Sequence, residues 1–344
     1  MAYAVGRRPV GRVPRVGVVK VLVTGGAGFI GSNLVDALLD RGDEVTVVDN
    51  LSCGKLSNIE HRLGSERFRF VEDSILNQAA LAPLVAGVEL IFHLAAVVGV
   101  KYVVEDPLST IVTNIRGTEN VLELAAEHGV RTVIASSSEV YGKSTDVPLR
   151  EDGDRVLGPT TVERWCYSDA KAVDEYLAWA YVDRGLPVTA VRYFNAYGPR
   201  LDPQGYASVV AQFLSQAMRG EPITVYDDGR QTRCFTYVAD TVEGTILAGT
   251  VDEAVGEVFN IGANRETSVN ELAKLVRETT ASDSEIVHMG SESVYGPSFE
   301  EAPRRVPDIT RASNVLGFEA RTTLEEGLRR TAEWFRTSGS PDRG

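Results

Sequence analysis

From Val18 onward the chain alternates short apolar runs with segments whose apolar residues recur every three or four positions. "VVKVLVT" (18–24), "EVTVVD" (44–49), "RFRFVE" (67–72), "ELIFHLA" (89–95), "RTVIASS" (131–137) and "LPVTAVRYF" (186–194) read as strands, being rich in β-branched residues and bounded by turn signals. "FIGSNLVDALLDRG" (29–42) has helical spacing and stops at Gly42, and helices are expected over 107–128 and 167–184. Near-continuous apolar strands separated by helices predict a parallel sheet covered on both faces, an α/β doubly wound Rossmann architecture.

After Phe194 the texture changes. "NAYGPRLDPQGYAS" is a long Gly/Pro loop, and the elements beyond it are shorter and mixed. The pattern predicts a helix near 206–219, strands near 223–226, 234–238 and 258–262, and a helix over 268–280. The loop "GPSFEEAPRRVPD" and a final amphipathic helix near 323–336 close the chain. The expected organisation is a disordered leader over 1–17, a doubly wound Rossmann domain over 18–194, and a smaller mixed α/β lobe over 195–344 with some segments returning to the first domain. No repeat of solenoid length and no low-complexity linker is present.

Composition narrows the partners. The 344 residues are 43% hydrophobic and 24% charged, with a formal net charge of −13. That balance argues against nucleic acid, whose phosphates need a basic face. Cys53, Cys166 and Cys234 lie far apart and His61, His93, His128 and His288 are scattered, so neither a disulfide framework nor a metal site is expected, and a reducing cytoplasm is. The basic leader "MAYAVGRRPVGRVPRVG" has no continuous apolar stretch, and is expected to be neither a signal peptide nor a membrane helix.

The first strand runs into "VLVTGGAGFIGSNL", where Gly25, Gly28 and Gly31 follow a strand and open a helix. In that setting Gly25 permits the tight turn, Gly28 lets the backbone and helix N-terminus approach a pyrophosphate, and Gly31 lets helix and strand pack closely. Asp49 ends the next strand. A carboxylate there accepts hydrogen bonds from ribose hydroxyls and repels a 2′-phosphate, which points to NAD rather than NADP. Leu94, Ala95 and Ala96 follow a further strand, where small residues let a backbone lie along the cofactor; His93 itself reads as structural.

"ASSSEVYG" (135–142) and "YSDAK" (167–171) carry the chemistry. Tyr167 and Lys171 are four apart on an expected helix and share a face. An ammonium beside a phenol lowers the phenol pKa, and a phenolate can take a proton from an alcohol while NAD takes the hydride. Ser137, at a strand end, can bond the same oxygen.

With these motifs the chain resembles the extended short-chain dehydrogenase/reductase family, specifically its NAD-dependent nucleotide-sugar epimerases, dehydratases and decarboxylases. The resemblance runs from about Val18 to about Phe335 on TGGAGFIG, Asp49, HLAA, SSSEVYG, YSDAK, RYFNAYGPR, QTRCFTYVAD and RRVPD. It implies a tightly held NAD, a nucleoside-diphosphate sugar in the C-terminal lobe, and a homodimer through the helices near 107–128 and 167–184. It makes Ser137, Tyr167 and Lys171 the catalytic triad, with Ser138 and Glu139 beside it. It adds Phe29, Ile30, Asn50, Ser74 and Ile75 to the cofactor contacts, and Asn114 as support for the active-site geometry. Asn195, Arg233 and Arg305 would contact the substrate diphosphate. Where relatives often carry Asp-Ile for the adenine, this chain has Ser74-Ile75 with Asp73 one position early, which leaves open whether Asp73 or Ser74 makes that contact.

All these enzymes begin by oxidising the sugar C4 hydroxyl. A 4-epimerase then returns the hydride to the other face, a 4,6-dehydratase removes the C5 proton and the C6 hydroxyl, and a uronic acid decarboxylase loses CO₂ from the β-keto acid. Ser-Glu-Val-Tyr-Gly with "RWCYSDAK" looks most like the UDP-glucuronate decarboxylases, with an epimerase (acting on UDP-glucuronate or another sugar nucleotide) and a dehydratase as alternatives. Beside a substrate carboxylate Glu139 is expected either to be protonated or to point at a sugar hydroxyl, with Arg233 or Lys101 offsetting the substrate charge. A non-catalytic NAD-binding regulator is the contrasting class, and the complete Ser137/Tyr167/Lys171 set argues against it.

Overall fold

The computed structural model describes residues 17–99, 106–203, 208–292 and 302–337; the leader over 1–16 and Lys101 lie outside them. Seven strands form one parallel sheet: β1 (Lys20–Thr24), β2 (Glu44–Asp49), β3 (Phe68–Glu72), β4 (Leu90–His93), β5 (Arg131–Ser137), β6 (Val188–Tyr193) and β11 (Val258–Ile261). Their order is β11-β6-β5-β4-β1-β2-β3, with every neighbouring pair parallel. The chain order reverses between β1 and β4. In such sheets the crevice beyond the strand C-termini at the reversal is where a ligand binds.

Helices cover both faces because the strands are apolar on both. β4 is buried at all four positions, and Val21, Leu22 and Val23 of β1 are fully buried. Helix α1 (Phe29–Arg41) ends at Gly42, whose φ of 103° lets its N–H reach the carbonyls of Leu38 and Leu39. Helix α2 is Gln78–Val85. Helix α3 (Pro107–His128) starts at Asp106, whose Oδ1 accepts from the Ser109 N–H at 3.0 Å, and closes at Gly129 with φ 65°. It packs along α4 (Trp165–Val182) on one face of the sheet.

The second lobe holds β7 (Ala196–Tyr197), α5 (Val209–Arg219), β8 (Ile223–Tyr226), β9 (Thr232–Cys234), β10 (Thr236–Tyr237), β12 (Glu266–Ser268), α7 (Val269–Thr280), β13 (Ile286–Met289), β14 (Arg304–Arg305) and α8 (Leu324–Thr337). Its sheets are small: β12-β9-β14, β13-β8 and β10-β7. The stretch read as one strand over 234–238 divides into the end of β9, β10 and the start of an unexpected helix, α6 (Val238–Thr250). α6 lies on the Rossmann sheet, so that α6 and β11 bring the chain back to the first domain after the long Gly/Pro loop.

Candidate active site

β1 delivers the glycine turn to the crevice. Gly25 has φ +72°, and a Cβ there would lie 2.7 Å from the Ala95 nitrogen on the segment after β4. A Cβ on Gly31 would lie 2.1 Å from the Gly25 carbonyl oxygen, so helix and turn touch backbone to backbone. Gly28 caps α1 without a side chain, which leaves the helix N-terminus, with Phe29 and Ile30, open to an anion. Asp49 is buried. Its Oδ2 accepts from the Ala27 N–H at 2.9 Å and its Oδ1 from the Leu51 N–H at 2.8 Å. Burial raises its pKa, and the two backbone donors work against that rise. One lone pair on each oxygen is thus spent on shaping the loop.

The other expected cofactor contacts are placed unevenly. Asn50 is exposed, and its Oδ1 accepts from the Ser52 hydroxyl at 2.7 Å. Leu94, Ala95 and Ala96 border the crevice half-buried, with the Leu94 and Ala95 amides bonded to Thr24. Asn114, on α3, clamps this segment from behind: its Oδ1 accepts from the Val97 N–H at 2.8 Å and its Nδ2 donates to the Val97 carbonyl at 3.1 Å. Asp73 and Ser74 both serve the turn before α2. Asp73 Oδ1 accepts from the Ser74 amide at 2.7 Å, and Ser74 Oγ from the Leu76 amide at 3.2 Å. Ile75 belongs to the core, packed where Gly117 of α3 leaves room for it.

The chemical residues come together at the end of β5. Ser137 Oγ accepts from the Glu139 N–H at 3.2 Å and so caps the short turn Ser138–Tyr141. The Ser168 hydroxyl donates to the Glu139 carbonyl at 2.7 Å, which ties α4 to that turn. Tyr167 is buried with its phenol hydrogen-bonded to Ser137. Lys171 lies on the same helix face but donates from Nζ to Asp174 Oδ2 at 3.1 Å, both side chains being buried. The phenol pKa is raised, by burial first and by the Glu139 charge second, with the Ser137 bond opposing. The expectation that the Lys171 ammonium lowers the phenol pKa therefore changes: in this structure the lysine is matched by a carboxylate.

Glu139 is ionised, not protonated. Burial pushes its carboxyl up, but Arg305 and then Arg164 outweigh burial and hold it at about 2, with Arg233 adding to the effect. Arg305 pairs with its Oε1, and Arg164 Nη2 lies 3.3 Å from its Oε2. Arg305 and Arg233 are register partners across β14 and β9, which explains how two arginines far apart in sequence face one carboxylate. Arg305, expected at the diphosphate, is thus committed to Glu139 here. Arg164 is a neighbour that the sequence reading quoted within its motif without a role; its place three residues before Tyr167, at the start of α4, was the available signal. Two buried donors near this site, Arg305 Nε and Asn195 Nδ2, have no hydrogen-bond partner among the described residues. Donors left in that state suit an anionic, oxygen-rich ligand.

His93 is structural. Its ring joins Thr24 Oγ1 at 2.8 Å to Thr118 Oγ1 at 3.1 Å, and burial, with the Lys171 charge, lowers its pKa to about 3. Among the described residues no cluster of three metal-ligating side chains occurs, and no helix is long and apolar enough to cross a membrane.

The GDP-mannose 4,6 dehydratase family model matches residues 22–331. The chain belongs to this family. Its relatives within the extended short-chain dehydrogenases/reductases include the UDP-N-acetyl-alpha-D-glucosaminuronate decarboxylase of Bacillus cytotoxicus, 45% identical over 92% of this chain and 98% of that protein. UDP-glucuronic acid decarboxylase 1 of Xenopus tropicalis is 38% identical over 92% of this chain and 72% of its own length. Among solved structures, the UDP-glucuronic acid 4-epimerase of Bacillus cereus in complex with UDP-glucuronic acid and NAD aligns with TM-score 0.83 at 29% identity. It covers 93% of this chain and 100% of that one. The chain is therefore a nucleotide-sugar enzyme of the decarboxylase–epimerase branch by its relatives, with a parallel Rossmann sheet like theirs.

Proposed function

We propose that this enzyme decarboxylates a UDP-linked glucuronic acid through a 4-keto sugar, using NAD. The observation that carries the reading is the ionised Glu139 carboxylate set among Arg305, Arg164 and Arg233, two residues after Ser137. The identity to two named uronate decarboxylases supports it. Residues 18–194 form the NAD-binding part and 195–344 mainly the substrate part, with α6 and β11 returning. The three cysteines are free, in keeping with a reducing cytoplasm.

The glycine cradle fits a pyrophosphate, because the space at Gly25 and Gly31 is closed to any Cβ and α1 opens on it. Asp49 would hold the ribose through its remaining lone pairs, and Leu94–Ala96 would border the cofactor. Held there, NAD would supply the acceptor for the C4 hydride and the source of its return. Tyr167 takes the C4 hydroxyl proton, and Ser137 holds the same oxygen. The new ketone lies β to the C5 carboxylate. The bond from C5 to the carboxylate breaks, its electron pair enters the enolate at the C4 oxygen, and CO₂ leaves. C5 then takes a proton and C4 is reduced again.

An ionised Glu139 beside a substrate carboxylate requires positive charge, and the three arginines supply it. Arginine forks suit both a carboxylate and a diphosphate. An ionised Glu139 suits the C5 base of a dehydration but carries no proton for the leaving C6 hydroxyl. A 4-epimerase remains the second reading because solved epimerases share this fold at high coverage. The 2-substituent is remote from C4 and C5, so a 2-acetamido uronate, the substrate named for the Bacillus cytotoxicus relative, would use the same residues.

Incubation with NAD and a panel of nucleotide sugars, read by mass spectrometry, tests the proposal. Loss of CO₂ from UDP-glucuronic acid or its 2-acetamido analogue is expected. Unchanged mass would make it an epimerase, loss of water a dehydratase, and no turnover of any sugar a binding protein.

A further inference from the structure

Asp174 has no part in the chemistry described so far, yet it is 1% exposed and is the hydrogen-bond acceptor of Lys171 at 3.1 Å. A carboxylate in such a place is costly unless it is matched by charge. Its match is the one cation that the reaction uses to favour a phenolate. The pair also stands at the end of a chain of buried polar groups. Thr24 at the C-terminus of β1 bonds His93 of β4, and His93 bonds Thr118 of α3. Thr118 flanks Asp174 on α4 and acts to lower its pKa. Thr24 Oγ1 in turn accepts from the Ala95 amide, on the backbone that closes over Gly25. One face of α4 is thereby linked through α3 and β4 to the strand end beneath the glycine turn.

We propose that Asp174 is a positioning residue which, through its bond to Lys171, sets the pH at which Tyr167 becomes an active base. The proposal rests on the reading of Tyr167 as the base for C4 oxidation. The groups acting on the phenol are Ser137 and Glu139 from the turn after β5 and Asp174 from α4, with Lys171 on the same helix bonded to Asp174; those facing Asp174 are Lys171 and Glu175 on its own helix, Thr118 on α3, and the neutral His93 behind it. Asp174 and Glu139 are both anions that oppose loss of the phenol proton, and Arg305 and Arg164 already offset Glu139. Asp174 is offset by Lys171 alone among the charged groups that face it. Removing its charge takes away one of the two anions that hold the phenol proton and leaves the Lys171 charge unmatched, so the phenolate forms at lower pH.

The test is the pH profile of C4 oxidation, followed as reduced cofactor in a single turnover, in Asp174→Asn. The ascending limb is expected to move to lower pH by about one unit, with NAD affinity by calorimetry within threefold of wild type. Asp174→Glu keeps the charge and is expected to restore the wild-type limb. A folded Asp174→Asn enzyme with an unmoved limb overturns the proposal, as does Asp174→Glu with a limb displaced like that of Asn. Should Asp174→Asn fail to fold, the position of the Asp174→Glu limb decides alone. Tyr167→Phe separates the two readings: if it retains C4 oxidation, the assignment of the base has failed, whereas loss of oxidation there with an unmoved Asp174→Asn limb sinks only the role of Asp174.

Discussion

Arg305 donates from Nη1 to Oε1 of Glu139, joining two residues 166 positions apart in the chain. The arginine arrives on a two-residue strand of the second lobe and the glutamate on the turn that ends a central Rossmann strand. The second lobe therefore completes the site that the first lobe begins.

Breaking this pair exposes its electrostatics. The folded-state pKa of Glu139, about 2, lies below its ordinary 4.5. A depressed carboxyl stabilises the fold fully above its unfolded value, and that contribution is lost as pH falls towards the folded one. Arg305→Gln removes the largest source of the depression. Its melting temperature is expected to fall below wild type at neutral pH, and the gap to shrink as pH drops through 4.5 towards 2. A gap independent of pH, by calorimetric scans, would show that the arginine stabilises only by packing.

Glu139→Gln keeps the shape and removes the charge. Decarboxylation is expected to slow about a hundredfold or more, while C4 oxidation through Tyr167 persists and a 4-keto sugar accumulates. Proton NMR of the reaction mixture checks this; full-rate CO₂ release from the variant would remove Glu139 from the mechanism.

Gly31→Ala places a Cβ 2.1 Å from the Gly25 carbonyl oxygen and 2.9 Å from the Gly26 Cα, both backbone atoms. Overpacking of this kind costs about 1–3 kcal/mol or more. Loss of NAD binding together with a lowered melting temperature is expected. Calorimetric NAD titration showing wild-type affinity would mean that the turn does not seat the pyrophosphate.

Helices α3 and α4 leave Leu108, Ile111 and Tyr176 exposed although each helix also buries a face on the sheet. Apolar surface of this kind on paired helices suits a second copy of the chain. Sedimentation is expected to give a dimer at micromolar concentration, shifted to monomer by Leu108→Glu with Tyr176→Glu. A wild-type protein that sediments as a monomer would refute the dimer.

Much of the fold was legible because β-branched runs and glycine stops are local signals. The span 107–128 matches α3 residue for residue because Pro107 and Gly129 punctuate it. α6 was not legible. Its sequence "VADTVEGTILAGT" holds two glycines and five β-branched threonines and valines, which argue against a helix. The structure supplies what propensity lacks. A Cβ at Gly244 would lie 2.8 Å from Ile261, and one at Gly249 2.8 Å from Phe92, so both glycines allow the helix to lie close on the sheet. Thr245 and Thr250 satisfy their hydroxyls on the carbonyls one turn back. At the site, Ser137, Glu139, Tyr167 and Lys171 stood out by motif, and their neighbours did not. The partners of Glu139 depend on the register of β14 against β9, which no local pattern encodes. Asp174 shares the helical face of Lys171 at three residues' spacing, a signal that one Tyr-x-x-x-Lys motif hides.

The central claim is that C4 oxidation here leads to loss of the C5 carboxylate. Incubation with UDP-glucuronic acid and NAD in heavy water, followed by proton NMR of the product sugar, tests it most directly. The account predicts a UDP-pentose that has lost the carboxylate carbon and carries one solvent deuterium at C5. A six-carbon uronate inverted at C4 with its C5 proton retained would contradict it.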